Sequence, residues 1–262
     1  MGSATTQALA ATTSALQAAP SVDLGVAREL FAAVRALAGS SHLSGALSDA
    51  SAPAEARRGV VTAVFGGFSP ASVAVLQAAA GQRWSSADDL ISGIEEAGIR
   101  AAAISSPSVD IEAELFTVAR TVASNSELEL ALGRRLGDAA AKGALIENLF
   151  GGRAGEATVL IAATLVQVPR ERRVRSMFSR AMRVVADQRG RAVATVFAAT
   201  DLTGDQLGRL QRTLTQRYGT EVSLNVVVDP SVVGGMRIEI ADDVIDATVA
   251  SRLGDLRQRL AG

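Results

Sequence analysis

The chain has 262 residues, a formal net charge of −1 and no cysteine, and hydrophobic residues make up 48% of it. This length is enough for two ordinary domains, and the balanced charge gives no overall attraction to nucleic acid or to an anionic membrane surface. The absence of cysteine excludes disulfides, thiolate metal sites and cysteine nucleophiles.

The sequence has no candidate segment for crossing a membrane. Its most apolar run, residues 157–168, contains threonines and a glutamine and is far shorter than the roughly 20 residues that a transmembrane helix needs. Residues 1–20 have neither the basic region nor the apolar core of a secretory signal. We therefore expect a soluble chain that associates with a membrane only through a partner.

The first two thirds of the chain contain an internal repeat with a period of 85 residues. Residues 24–67 and 109–152 share 14 identities over 44 positions without a gap. The matches include the tripeptide Glu-Leu-Phe at 29–31 and at 114–116, and both copies end in Phe-Gly-Gly. Two copies of one helical unit explain this similarity.

Both copies have the apolar spacing of helices. In the first copy, Leu30, Val34 and Leu37 recur at intervals of four and three residues. The Phe-Gly-Gly ends predict helix termination, because glycine adopts the left-handed conformation after a helix without a side-chain clash. Pro70 and Gly155 then begin the next helical stretch, and a further helical pattern follows in each copy.

The pattern changes near residue 190, where β-prone segments begin. Thr203 and Gln206 have the spacing of a capping box, and Gly219 follows the last apolar residue of the same pattern, which predicts a helix over 203–218. Alternating apolar residues predict one strand before this helix and three after it. A final helical pattern at 249–260 completes a β-α-β-β-β-α order.

The sequence therefore predicts a mostly α chain. An N-terminal helical bundle with a duplicated helical unit is followed by a small α+β domain. The bundle covers residues 1–190, with repeat units at about 24–105 and 109–190, and the α+β domain covers 191–262.

No stretch has the residues of a catalytic or cofactor site. The single lysine, Lys142, lies between alanine and glycine, which does not match a phosphate-binding loop. The single histidine, His42, aligns with Glu127 of the second copy, which indicates a solvated helix end rather than a general base. Gly234 and Gly235 lie between strand patterns and predict a bend or bulge.

The acidic residues near the C-terminus are the densest group of candidate metal ligands. Structural roles account for each of them. Asp242 and Asp243 fall between two apolar strand patterns, as turn residues do. Glu239 faces outward from an alternating strand, and Asp246 has the position of a helix N-cap. We expect no metal site here, and a hydrolase centred on residues 239–246 is the least favoured hypothesis.

Residues 169–191 contain eight arginines against two acidic residues. One hypothesis is a nucleic-acid-binding adaptor that uses this segment as its contact. The alternative is a charged outer helix face that is solvated or contacts protein. We favour the alternative, because Val174, Phe178, Ala181 and Val185 form a coherent inner stripe and no aromatic residues are interleaved for base stacking.

Residues 224–253 carry a specific series of residues. An aspartate follows a strand, an apolar pair precedes two glycines, an alternating strand leads to an acidic turn and a Val-Ile-Asp element, and Arg-Leu closes the series. Its members are Asp229, Val232, Val233, Gly234, Gly235, Ile238, Ile240, Val244, Ile245, Asp246, Arg252 and Leu253. This series resembles the C-terminal segment of the δ subunit of F-type ATP synthases, the family of the mitochondrial oligomycin-sensitivity-conferring protein. Residues 88–190 resemble the N-terminal bundle of that family, and the additional first copy resembles the extended form found in actinobacteria.

The resemblance implies a non-catalytic subunit in the peripheral stalk of a proton-translocating F-type ATP synthase, without a cofactor. Such a stator subunit links the N-terminal helices of the α subunits, at the catalytic head, to the C-terminus of the b-subunit stalk, and it resists the torque of the rotor. It is held at the cytoplasmic face of the cell membrane as a peripheral component of the complex, and it has no nucleic-acid partner.

The resemblance also implies a location for the α-subunit groove. By position, the groove lies between residues 89–103 and 156–168. The residues implied are Ile91, Ile94, Val159, Leu160 and Leu165. The first copy offers an alternative groove, between the N-terminal helix and residues 71–80, and the sequence does not decide between the two.

Overall fold

A computed structural model describes residues 2–133, 137–170, 172–232, 234–240, 243–246 and 248. The chain divides into two compact units, Met1–Val185 and Ala186–Gly262. The first unit is helical and the second contains a four-stranded mixed sheet, which confirms the predicted fold class.

The helices of the first unit pack around one apolar core. Within the described residues they are α1 (Ser3–Gln17), α2 (Leu24–Gly39), α3 (Ser41–Ser48), α4 (Ala54–Phe65), α5 (Pro70–Gly81), α6 (Ala87–Ser105), α7 (Ile111–Ala123), α8 (Ser126–Gly133), α9 (Ala139–Phe150), α10 (Glu156–Gln167) and α11 (Val174–Gln188). Short connections between them make neighbouring helices pack side by side.

The helix bounds reproduce the sequence repeat. α3 and α8 begin and end 85 residues apart, and so do α4 and α9. We call α2–α5 the first repeat and α7–α10 the second repeat. α6 lies between them, because it packs against α1, α2, α3 and α5 on one side and against α10 of the second repeat on the other.

A glutamate ties the first helix of each repeat to the start of the fourth. Glu29 on α2 accepts hydrogen bonds from the backbone N–H of Ser69 at 3.0 Å and from its hydroxyl at 2.6 Å, and Ser69 is the N-cap of α5. Glu114 on α7 accepts from the N–H of Gly155 at 2.9 Å and from the hydroxyl of Thr158 on α10. Each carboxylate accepts a hydrogen bond from a backbone N–H group at a helix start, where the helix itself provides no acceptor.

The two Phe-Gly-Gly segments end their helices as predicted, and the predicted left-handed glycine after the helix occurs in the second segment but not in the first. Gly66 and Gly151 have φ of −62° and −57°, and only Gly152, with φ of 74°, is left-handed. A Cβ on Gly66 would lie 2.4 Å from the carbonyl oxygen of Thr62, and one on Gly151 would lie 2.5 Å from that of Glu147. Close approach of backbone therefore requires these glycines.

α6 is buried on nearly all sides, since eleven of its nineteen residues are buried. Gly98 allows the ring of Phe31 on α2 to approach closely, because a Cβ at Gly98 would lie 2.7 Å from that ring. Phe31 is fully buried as a result. Its counterpart in the second repeat, Phe116, is only partly buried.

The second unit consists of β1 (Arg191–Ala198), α12 (Gly204–Tyr218), β2 (Glu221–Val228), β3 (Met236–Ile240) and β4 (Asp243–Asp246). The sheet order is β2-β1-β3-β4, with β1 parallel to β2 and the other two pairs antiparallel. Its core contains Ala194, Val196, Leu214, Val222, Ile238 and Ile240. The final helix predicted at 249–260 lies outside the described residues.

The capping box that begins α12 is confirmed. The Thr203 hydroxyl accepts from the N–H of Gln206 at 3.4 Å, and the Gln206 side chain accepts from the N–H of Thr203 at 2.8 Å. At the other end, Gly219 is left-handed, with φ of 69°. Both ends of this helix are thus specified by local sequence.

Replacing Thr203 with alanine should lower the free energy of unfolding of the second unit by about 1 kcal/mol, because an N–H group at the start of α12 loses its acceptor. Denaturant titration of the full chain measures this loss when unfolding of the second unit is monitored by amide hydrogen exchange in the sheet. Thr213→Ala is the matched control on the exposed side of the same helix, and it should change stability by less than about 0.5 kcal/mol. Equal losses in the two variants would contradict the capping role.

Candidate functional site

A cleft of about 810 Å³ opens between the two repeats. α2 lines one wall, and α9 and α10 line the other, with the connection after α10 closing one end. The side chains that line it include Arg28, Arg35, Glu147, Leu160, Gln167 and Arg170. We call this feature the inter-repeat cleft.

The charges around the inter-repeat cleft are only partly neutralised. Arg28 of α2 forms an ion pair with Glu156 at the start of α10. Arg35, two turns further along α2, and Glu147 of α9 also line the cleft. Neither forms an ion pair within the described residues. The cleft therefore presents one positive and one negative side chain that are free to meet a partner.

The structure separates the five residues implied for the α-subunit groove. Ile91, Ile94 and Leu165 are buried in the chain's own core, because α2 and α10 pack against α6 from two sides. They present no surface to a partner. Val159 and Leu160 remain partly exposed, and Leu160 lines the inter-repeat cleft.

A buried carboxylate, Glu95 on α6, holds three arginines. Its side chain is 1% exposed. Arg172 binds it with two hydrogen bonds, of 2.6 and 2.8 Å, while Arg170 and Arg180 approach it at 3.3 and 3.2 Å. Arg180 also binds Glu96 at 3.0 Å, so the network joins α6 to α11 and to the connection between α10 and α11.

The electrostatics of this network favour the ionised carboxylate. Burial alone would raise the pKa of the Glu95 carboxyl, but the hydrogen bonds and charge of Arg172, with the charges of Arg170 and Arg180, outweigh burial and lower that pKa below its ordinary value. Burial lowers the pKa of the Arg170 guanidinium, and the charge of Glu95 opposes that change.

Arg170 connects the buried network to the inter-repeat cleft. Its guanidinium also donates to the backbone oxygen of Asp88 at 3.0 Å and to the Ser92 hydroxyl at 2.8 Å. Its backbone has a φ of 44°, in the left-handed region that is unfavourable for residues other than glycine. The surrounding contacts hold it in this conformation. The Arg170 backbone is therefore fixed where it borders the cleft.

The arginine-rich segment 169–191 is not a uniform outer face. Arg170, Arg172 and Arg180 point inward to Glu95, whereas Arg173, Arg175 and Arg183 are exposed. Sequence reasoning missed this division. The signal was present as two adjacent glutamates inside the otherwise apolar pattern of α6, since buried carboxylates require cationic partners.

The glycines and strand residues of the C-terminal series have structural positions. Gly234 and Gly235 are both left-handed, with φ of 65° and 79°, and form the bend before β3. Ile238 and Ile240 are buried in the core of the second unit. Asp229 accepts from the N–H of Ser231 at 2.9 Å and so closes a turn after β2.

The remainder of the series lies on or beside the edge strand β4. Val244 is 62% exposed, and Ile245 packs against the core of the second unit. Asp246 accepts from the N–H of Thr248 at 3.0 Å. Val232 is partly buried in the turn before the bend. Val233, Arg252 and Leu253 lie outside the described residues.

The candidate metal ligands have other roles where the structure describes them. Asp243 was predicted in a turn, but it is the first residue of strand β4. Its carboxylate accepts a hydrogen bond from the Tyr218 hydroxyl at 3.0 Å. Glu239 forms an ion pair with Arg237 at 3.0 Å. Over the described residues, no three His, Asp or Glu side chains gather as a metal site would require. Asp242 lies outside the described residues.

Fold and cleft together define a chain with two helical repeats, an open cleft between them and a small α+β unit. No helix in the described ranges is long and apolar enough to span a membrane. The family model for the ATP synthase delta (OSCP) subunit matches residues 96–260. The chain belongs to this family, and the resemblance noted in the sequence is confirmed.

Named relatives extend the match to the first repeat. The "ATP synthase subunit delta" of Leifsonia xyli subsp. xyli is 48% identical over 264 residues, covering 100% of both chains. Those of a Nocardioides species and of Beutenbergia cavernae are 39% and 38% identical, each covering 90% of this chain and 87% and 89% of the relative. The first repeat is therefore shared with these actinobacterial relatives.

Proposed function

We propose that this chain is the peripheral-stalk (stator) subunit of a proton-translocating F-type ATP synthase. It links the N-terminal helices of the α subunits to the C-terminus of the b-subunit stalk and resists rotor torque. It carries no catalytic group of its own, and it stays at the cytoplasmic face of the cell membrane through the complex. Membership of the ATP synthase delta (OSCP) subunit family is the observation that supports this proposal.

The inter-repeat cleft is the proposed docking position for a helix of the α subunit. The stretch of α2 that lines it, from Arg28 to Gly39, is about 16 Å long, which matches about three helical turns. Leu160 supplies apolar surface on the opposite wall. A groove with these dimensions suits the apolar side of an amphipathic helix.

The edge strand β4 is the proposed contact for the b subunit. β4 ends the sheet order, so one side of it has no neighbouring strand in the described residues. Val244 on this strand is a large apolar residue that is mostly exposed to solvent. An unpaired edge with an exposed apolar side chain favours contact with another chain.

Two substitutions in the full chain test these positions separately, with one peptide from the N-terminus of the α subunit (the α peptide) and one from the C-terminus of the b subunit (the b peptide). Leu160→Asp should weaken binding of the α peptide by at least about tenfold and leave binding of the b peptide unchanged, because a carboxylate cannot be buried against an apolar helix side without a partner. Val244→Asp should have the opposite pattern. Isothermal calorimetry with each peptide measures both affinities.

The internal repeat provides a matched control. Ala74 is the fifth residue of α5, as Leu160 is the fifth residue of α10, and it is exposed. Ala74→Asp should leave both affinities unchanged. Loss of α-peptide binding in Ala74→Asp but not in Leu160→Asp would move the site to the alternative groove beside α1 and α5. A wild-type chain that binds neither peptide would contradict the proposed function.

A further inference from the structure

We propose that the second repeat has a slot for an aromatic side chain of a partner chain, and that an acidic residue lies next to that aromatic residue. The slot is a cavity of about 280 Å³ that opens between α7, the end of α9 and the turn after α9. We call it the α7–α9 slot. It shares no lining residue with the inter-repeat cleft, so it is a contact surface beyond those of the proposed function.

The α7–α9 slot has an apolar lining. Val118 of α7 and Phe150 of α9 are buried side chains that border it, and Leu149 beside them is partly buried. Water gains little from contact with such a lining, so an apolar group that replaces the water stabilises the complex.

Most polar side chains of the slot bind within the chain. The hydroxyls of Thr117 and Thr121 donate to backbone oxygens of α7 at 3.0 and 2.9 Å. The Glu114 carboxylate accepts from the backbone N–H at the start of α10 at 2.9 Å. Arg153 differs from these three, because its side chain is exposed and forms no ion pair within the described residues. The slot therefore combines an apolar lining with one unpaired cation.

The first repeat shows what kind of side chain fills this position. Phe68 is the counterpart of Arg153, because each directly follows a Phe-Gly-Gly segment. The ring of Phe68 packs against that of Phe65, with ring centroids 5.4 Å apart, and it also packs against the apolar core. In the second repeat the cavity opens beside Phe150, the counterpart of Phe65. The first repeat thus places its own aromatic side chain where the second repeat has none.

The two turns after the helices place their fourth residues alike. In each turn the N–H of the fourth residue donates to the carbonyl oxygen of the phenylalanine, at 2.9 Å in the first repeat and 3.0 Å in the second. Gly66, with φ of −62° and ψ of −15°, gives a type I turn. Gly151, with φ of −57° and ψ of 127°, and the left-handed Gly152 give a type II turn. These types differ in the orientation of the central peptide and keep the relation of the first and fourth residues.

An aromatic side chain with an acidic neighbour matches the slot. Apolar cavities of about 150 Å³ hold a benzene ring, so the larger slot accommodates an aromatic side chain. The guanidinium of Arg153 can lie over the face of that ring and bind a carboxylate beside it. A basic neighbour would instead be repelled by Arg153. The partner is therefore an acidic chain segment that inserts one aromatic side chain.

Three dipeptides, each blocked at both ends, test the slot in the full chain. Asp-Phe carries the proposed pair, Arg-Phe reverses the charge and Asp-Ala has no ring. Methyl NMR signals of Val118 and Leu149 report binding. We expect saturable shifts of both signals with Asp-Phe at millimolar concentration and no shift with Asp-Ala. Arg-Phe should bind at least about threefold more weakly than Asp-Phe.

Two results of this titration would contradict the proposal. Absence of shifts with Asp-Phe would overturn the slot itself. Equal affinities for Asp-Phe and Arg-Phe would overturn the acidic neighbour. Both results come from the wild-type chain, so they do not depend on whether a variant folds.

A substitution copied from the first repeat provides a second measurement. Arg153→Phe introduces the aromatic residue that the first repeat has at this position, so its ring should occupy the slot. We expect it to weaken binding of Asp-Phe by at least about tenfold and to raise the denaturant concentration at the unfolding midpoint. Arg153→Gln is the matched control, because it removes the charge and leaves the slot open. Asp-Phe and Arg-Phe should bind equally to that variant. Undiminished binding of Asp-Phe to Arg153→Phe would overturn the location of the slot.

Discussion

Replacing Glu95 with alanine should lower the free energy of unfolding of the helical unit by about 3–5 kcal/mol. The physical reason is that Arg170, Arg172 and Arg180 would keep their partly buried positions without the carboxylate that neutralises them. The single tryptophan, Trp84, is buried in this unit, so its fluorescence during denaturant titration reports the loss directly.

An exposed ion pair provides the control for the Glu95 variant. Glu55 and Arg58 interact on the surface of α4, where the Glu55 side chain is 84% exposed. Glu55→Ala should therefore cost less than about 1 kcal/mol. If Glu95→Ala cost no more than this control, the buried network would not contribute to stability as its geometry indicates.

Because of the Glu95 carboxylate, we also expect the free energy of unfolding to depend on pH in the acid range. The folded state lowers the pKa of Glu95 below its ordinary value of 4.5, so its contribution to stability is complete above that value. The contribution is lost as the pH falls from 4.5 through the lower folded-state pKa. The stability difference between the wild-type chain and Glu95→Ala should therefore shrink over that range of pH.

Replacing Phe31 with alanine should lower the free energy of unfolding by about 3–5 kcal/mol, because a fully buried ring is lost and its space against α6 stays empty. The repeat provides the matched variant, since Phe116 has the same position in the second repeat but is only partly buried and lies beside the guanidinium of Arg120. Phe116→Ala should cost about 1–2 kcal/mol. Denaturant titration of the two variants compares the repeats directly.

A double substitution checks the cause of the Phe31 effect. Gly98→Ala alone should destabilise the chain, because the added methyl group meets the Phe31 ring at 2.7 Å. In the Phe31→Ala background the same methyl group enters vacant space, so its cost should disappear. Additive effects of the two substitutions would show that the contact between α2 and α6 is not what requires glycine there.

Local patterns in the sequence predicted local structure well. The repeat, the helix ends near Phe65 and Phe150, and the capping box at Thr203 depend on residues that are close in sequence, and the structure reproduces them. The sheet strands β1 to β3 were likewise visible in the alternation of apolar residues.

Contacts between repeats were not predictable in the same way. Ile91 and Ile94 have the spacing of a groove-lining stripe, but whether such a stripe faces a partner or the neighbouring repeat depends on how α2 packs on α6. The inward direction of Arg172 could not be predicted either, because its partner Glu95 is 77 residues away in the sequence and only the fold brings the two together. Glu147 and Arg35 belong to the candidate site only because the cleft brings α9 and α2 to face each other.

The position of α6 between the repeats limits how chains of this family can differ in length. Gly98 fits the Phe31 ring, and Ala101 and Ala102 are also buried. A chain that began at α6 would turn this apolar side towards water, where a helix normally carries polar residues. A chain of this kind without α1–α5 would therefore need polar residues on that side of α6.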